Sequence, residues 1–302
     1  MKSPPLDLQD DQKFALMKFK RNIRDVLKPE HDDIYLVRWL KARKWNPEAA
    51  EKMFRESLKW RETRNIDNIQ QWNSTHNLDP YYPYGFMGFT EQTNYPFVII
   101  PLKDLDVNGF LRCLSKGDLV RAVIKLIEYH VNMAHEHSKT HGYNATQFIV
   151  LIDMDGFSVR QYLTKQVLDI SVILAKVYEA NYPCMLKKVF IINAPAIFTV
   201  AFNVLKKFLS AETIGSVKIM NSDRKKWQAA IMEVIPKEIL PKHYGGLRVD
   251  ANDDPRCAAN ICYGGKIPSE FYMTKQPSID SLSAELENLE TEFNAVILKE
   301  NV

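Results

Sequence analysis

The sequence predicts an α/β chain in which a small N-terminal helical bundle precedes a mainly parallel sheet covered by helices. Three observations carry this. Over roughly the first seventy residues apolar side chains recur at helical spacing, with no strand pattern. Beyond about Asn77, short apolar runs alternate with helical stripes, the order that produces right-handed crossovers and a largely parallel sheet. At 302 residues, 46% hydrophobic and 25% charged, the chain suits about two globular domains of ~150 residues and not a disordered one.

The elements follow in order. Leu16, Phe19, Ile23, Val26 and Leu27 form the stripe of a first helix. Asp32 and Asp33 can cap a second, carrying Leu36, Val37 and Leu40. Asn46-Pro47-Glu48 starts a third, with Ala50, Met53, Phe54, Ser57 and Leu58 along one side. After the Tyr/Pro/Gly-rich LDPYYPYGFMGF, the run PFVIIPL reads as a buried strand. Ser115 to Asp118 resembles a capping box opening a long helix with Leu119, Val123, Leu126, Ile127, Val131 and Ala134 on one stripe. Then come a strand at 147–153, a helix at about 164–180, a strand at 189–193, a helix at about 196–210 and a strand at 217–220. Residues 251–273 read as a turn-rich strap. Leu282, Leu286, Leu289, Phe293 and Val296 mark an amphipathic helix within 278–302, too short for a coiled coil and able to dock on its own domain or on a protein partner. The expected division is a helical domain at 1–75, an α/β domain at 76–250 and a C-terminal strap and helix at 251–302.

Composition excludes several classes. With 40 Lys+Arg against 37 Asp+Glu the net charge is +3, so no basic excess points to nucleic acid. Four cysteines are too few for a disulfide scaffold, and MKSPPLDLQDDQKF has no apolar signal-peptide core, so the expected setting is cytoplasmic. Neither Gly-rich phosphate loop occurs, nor G-x-S-x-G. His137 and His141 lie one helical turn apart near His130 and His135, but two ligands fill half a tetrahedral shell, and Cys257 and Cys262 have no second pair. No metal is expected. Asp153-Met154-Asp155-Gly156 after an apolar strand is the most enzyme-like piece; two carboxylates there could hold magnesium, yet no later acidic pair follows a strand. A strand-to-turn carboxylate is the simpler reading, and no catalytic residue is assigned.

The stretch 189–205 carries no charge over 17 residues, and Asn193-Ala194-Pro195 divides it, so it does not span a bilayer. Its helical half places Ile197, Ala201, Val204 and Phe208 on one stripe and Phe198, Phe202, Leu205 and Leu209 on the next, with Lys206 and Lys207 as a narrow polar edge. A helix apolar most of the way round is buried on both sides or meets lipid.

DDIYLVRWLKARKWNPEAAEKMF, IVLIDMDGFS, EANYPCMLKKVFIINAPAIFTVAFNVLKKFLSAET and IPKEILPKHYGG, in that order between about residues 11 and 273, resemble the CRAL-TRIO family of lipid-binding and lipid-transfer proteins. The resemblance is greatest to the animal subgroup that includes supernatant protein factor and the tocopherol-associated proteins. It implies a sheet flooring an apolar cavity, with the helix at 196–210 as a mobile gate that closes over the ligand and opens at a membrane. Phe198, Phe202, Leu205 and Leu209 would then face cargo or lipid, and Lys206 and Lys207 would touch anionic phosphates.

The same resemblance implies where headgroups would be read. Of three residues that hold phosphatidylinositol in other members, the Arg aligns with Arg43, beside Lys44; the Glu aligns with Cys184, and the Lys with Ser216, two residues before Lys218. Positions that hold phosphatidylcholine elsewhere fall on Met87, Val98, Phe148 and Val150, all apolar. Burying an unpaired polar group costs about 1–3 kcal/mol, whereas a hydrocarbon guest gains roughly 0.8 kcal/mol per CH₂. The expectation is a non-catalytic carrier of a retinoid, tocopherol or related isoprenoid, reversibly peripheral at membranes, with no cofactor besides that ligand. Retinaldehyde is an attractive case, since its one carbonyl needs one or two donors. A phospholipid exchanger and a lipid-regulated adaptor are the alternatives.

Overall fold

The computed structural model describes residues 6–156 and 164–273, so the 278–302 helix expected from sequence lies outside the described residues. Helices α1 (Asp10–Asn22), α2 (Asp33–Ala42) and α3 (Pro47–Thr63) open the chain. The Asp32 carboxylate accepts the Tyr35 N–H and the Asn46 side chain that of Ala49, so both expected caps form. Phe19, Leu36, Val37, Leu40 and Phe54 close the bundle core, with Phe19 edge-on to Phe54 at 5.9 Å. Helix α1 stops short of Val26 and Leu27. Arg55 Nη2 donates to the Asn22 carbonyl at 2.9 Å, satisfying an acceptor that the end of the helix leaves open.

The rest of the chain alternates as the sequence predicts. Its elements are β1 (Gly85–Phe89), β2 (Pro96–Pro101), β3 (Asp104–Leu105), α4 (Val107–Cys113), α5 (Lys116–His141), β4 (Phe148–Asp153), α6 (Lys165–Asn181), β5 (Leu186–Ile192), α7 (Ala196–Leu205), α8 (Ala211–Ser216), β6 (Val217–Ile219), α9 (Arg224–Met232) and β7 (Gly264–Gly265). The main sheet runs β1-β2-β4-β5-β6 and is parallel except for β1, which pairs antiparallel with β2; β3 and β7 form a small parallel pair. Strand β1 escapes a sequence reading because Gly85, Gly88 and the neighbouring prolines read as turn, and its register shifts between Phe86 and Gly88.

One face of the sheet is packed solid. Phe97, Ile99, Ile149, Leu151, Phe190 and Ile192 meet Trp227 and Ile231 of α9 and Tyr244, Cys257 and Ile261 from the end of the chain. The strap is therefore part of the core, and the Asp250 carboxylate organises it by accepting N–H groups of Asn252, Asp254 and Ala259. Two helices differ from expectation. In α5 the deepest residues are Val120, Ile124, Glu128, His130, Ala134 and Ser138, because the helix buries polar partners as well as its apolar stripe. The helix expected at 196–210 ends at Leu205; Lys206–Phe208 is a single 3-10 turn, and the Ser210 hydroxyl accepts the Thr213 N–H to cap α8.

Candidate functional site

The second face of the sheet carries Val98 and Ile100 from β2, Phe148, Val150 and Ile152 from β4, Val189 and Ile191 from β5, and Val217 and Ile219 from β6. Helices α5, α6 and α7 lie over it. A parallel sheet with helices on both faces should bury its central strand on both. Strand β4 does not behave so: Ile149 and Leu151 are 0% exposed, while their neighbours Val150 and Ile152 retain accessible surface. The helix layer therefore covers these side chains incompletely, as it would over an apolar hollow.

Helix α6 bears this out. Asp169, Ile170, Val172 and Asn181 are buried, whereas Val167, Ile173, Leu174, Val177 and Tyr178 are only half-buried. Burial pushes the Tyr178 phenol well above its ordinary range, although its side chain keeps accessible surface. Hydroxyls nearby are largely committed. The Tyr182 O–H donates to Glu128 Oε1 at 2.6 Å. His130 Nδ1 lies 2.7 Å from the Leu126 carbonyl, which can only accept, so Nδ1 holds the proton and Nε2 accepts from Tyr84. Sequence reading singled out neither Tyr84 nor Tyr178; they were visible only as tyrosines beside apolar runs.

The structure gathers some of the sequence-derived site residues and separates others. Val98, Phe148 and Val150 share the hollow face with Ala134 of α5. Met87 does not. It sits in the solid core on the far face, and Phe86 takes the inward position opposite Val98, because alternation along β1 turns Met87 away. Phe198 packs against Met154, Val189 and Ile191 and stacks on the buried Phe202 with ring centres 6.3 Å apart; Leu205 and Leu209 are half-buried. Cys184 sits outside the sheet at φ 56°, its thiol donating to Glu212 Oε2 at 3.3 Å; burial and then that carboxylate push the thiol up to about 12.

The basic residues point elsewhere. Arg43 and Lys44 are exposed at the end of α2, where Arg43 Nη1 donates to the Ala42 carbonyl. Lys218 pairs in register with Phe190 and so projects to the far side of the sheet, while Ser216 ends α8 and shares no strand with it. Lys206 lies over the Phe202 ring at 5.4 Å, and Lys207 is exposed. In the histidine-rich stretch, His137 stacks on Phe89 at 3.6 Å and on His141 at 3.8 Å. Among the described residues no three His, Cys, Asp or Glu side chains gather as a metal site would require.

A CRAL/TRIO domain profile matches residues 80–246, and the profile of its N-terminal domain matches residues 6–56. The chain belongs to the CRAL-TRIO family. Among its relatives, protein ctg-1 of Caenorhabditis elegans is 26% identical over 255 residues, covering 83% of this chain and 65% of that protein's own length. The crystal structure of Sfh5 superposes with a TM-score of 0.62 at 16% identity, over 96% of this chain and all of that one, and shares the fold. CRAL-TRIO domains bind and transfer lipophilic molecules.

In this CRAL-TRIO chain the Asp153 carboxylate, enzyme-like by sequence, is a structural hub. It is buried and accepts from Asn193 Nδ2 at 2.7 Å, from the Asp155 N–H at 3.0 Å and from the Tyr244 hydroxyl at 3.1 Å. Asn193 holds a left-handed φ of 55° immediately before Ala194-Pro195 and α7, so the hub fixes the joint from which that helix leaves the sheet. Helix α7 sets Phe198 against this face of the sheet, with the buried Phe202 stacked on it, and turns Ile197 and Val200 outward, 43% and 55% exposed. No helix among the described residues is long and apolar enough to cross a membrane.

Proposed function

We propose that the chain is a non-catalytic carrier that takes up one small isoprenoid-like lipid, such as retinaldehyde or a tocopherol, between the sheet and helices α5, α6 and α7. Helix α7 is the part that moves when cargo passes to or from a membrane. The observation that carries this is the accessible face of the central strand at Val150 and Ile152, set against the fully buried Ile149 and Leu151. An apolar hollow gains roughly 0.8 kcal/mol for each CH₂ it takes from water. It cannot hold a charged phosphate on Val98, Phe148 and Val150, which offer no donor.

Tyr178 is the polar group best placed to meet a single carbonyl or hydroxyl. Burial holds its phenol well above the ordinary range, so the O–H keeps its proton and can donate. Native mass spectrometry and an absorbance scan of protein purified from its own tissue identify the cargo, and a phosphorus-containing lipid at unit stoichiometry overturns the isoprenoid reading. With retinaldehyde as probe, Tyr178→Phe is expected to weaken binding about fivefold, the worth of one ordinary hydrogen bond near 1 kcal/mol. Unchanged affinity removes Tyr178 from the site.

A further inference from the structure

A cavity of about 270 Å³ lies between the N-terminal helices and the ends of α5 and α6, and Val131, Tyr182 and Met185 on its wall also pack toward the sheet. Its wall carries two kinds of polar group. One is a closed network. Arg61 makes a bidentate pair with Glu128 at 2.7 and 3.0 Å and reaches Asp67 through Nε at 2.7 Å; Lys28 meets Asp67 at 3.3 Å and Glu30 at 4.0 Å. Every carboxylate on the wall thus has its cation.

The other kind is unmatched. Arg38 is 3% exposed, lines this cavity, and makes no hydrogen bond or ion pair among the described residues; its guanidinium lies 4.8 Å over the Tyr35 ring. Beside it on the same wall, the Trp39 indole N–H, His135 Nδ1 and the Asn181 Oδ1 acceptor are buried without partners among the described residues. A water molecule can satisfy a neutral indole or imidazole, but it leaves the Arg38 charge uncompensated, and a buried cation is costly unless an anion or several acceptors meet it. The guanidinium fork matches an oxyanion in geometry as well as charge. At about 30 Å³ of liquid volume per water, the space admits a phosphate-sized group together with water.

We propose that this cavity is a binding site for a phosphate-type oxyanion, held by Arg38 with Trp39 and His135. The oxyanion can be free phosphate or the headgroup of an anionic lipid, and two titrations of the full chain distinguish them. One uses inorganic phosphate; the other uses phosphatidylcholine vesicles with and without phosphatidic acid. Saturable binding in either, weakened about tenfold or more by Arg38→Gln, is the expected result, since a charge-assisted fork is lost. Saturation by free phosphate assigns the soluble source, and saturation by phosphatidic acid vesicles alone assigns the headgroup. Trp39→Phe, which removes only the indole N–H, should weaken the same binding about threefold and keeps the test open if Arg38→Gln does not fold. Failure of both probes to bind the wild-type chain at millimolar concentration, or affinity unchanged in the variants, overturns the proposal.

Discussion

Replacing Glu128 with Ala is expected to destabilise the chain by about 3–5 kcal/mol, the cost of breaking a buried ion pair from one side. Glu128 is only 2% exposed, accepts both Arg61 Nη atoms and also takes the Tyr182 hydroxyl. Burial works against the Arg61 cation, but the Glu128 carboxylate outweighs it and holds the guanidinium above its ordinary range. Without Glu128, Arg61 keeps only Asp67 as an ion-pair partner among the described residues, half-exposed, and Tyr182 loses its acceptor. The pair also joins α3 to α5, so its loss loosens the seam between the helical bundle and the sheet domain. Urea unfolding measures the effect as a shift in midpoint. The double replacement Arg61→Met with Glu128→Met should recover most of the loss, because apolar side chains of similar size often match a buried pair. A midpoint moved by less than about 1 kcal/mol in Glu128→Ala would mean that water reaches the pair and screens it.

How much of this was legible in the sequence depended on distance along the chain. The caps at Asp32, Asn46 and Ser115 and the strands around Ile99, Leu151 and Ile191 are written within a few residues of one another, and local pattern finds them. The family resemblance likewise rests on contiguous motifs, and the domain profiles agree with it. Faces were harder. The family resemblance groups Met87 with Val98, but β1 is not legible as a strand, so nothing local shows that alternation turns Met87 to the opposite face. The Arg61–Glu128 pair spans 67 positions and leaves no local trace. Arg38, inside the apolar run LVRWL, looks like the polar edge of an amphipathic helix and is in fact inside. Asp153 shows the converse: a catalytic-looking pattern whose hydrogen bonds among the described residues go to holding the chain in place.

Carrying Asp at both Ile197 and Val200 should slow transfer of retinaldehyde or α-tocopherol between phosphatidylcholine–phosphatidylserine vesicles by about tenfold to a hundredfold, with little change in stability. These two side chains project outward from α7 while Phe198 and Phe202 pack inward, so an apolar surface is already presented before the helix moves. In water that surface does nothing for the fold; at a membrane each side chain could recover part of the roughly 1.5–3 kcal/mol that full burial of such a residue is worth. Substituting Asp removes that gain and sets negative charge against an anionic surface, next to Lys206 and Lys207, which would otherwise meet lipid phosphates. At 1.36 kcal/mol per tenfold in rate, a combined loss of about 1.4–2.7 kcal/mol gives the stated range. The buried Phe202 is a poorer place for the same test, because charge there unfolds the lid instead of changing its outer face. Raising salt should slow the wild-type chain and leave the variant nearly unaffected, since screening acts on the lysine contacts that only a docked helix makes. Equal transfer rates for the two proteins at every salt concentration would place membrane contact on another surface and leave α7 as a fixed wall of the hollow.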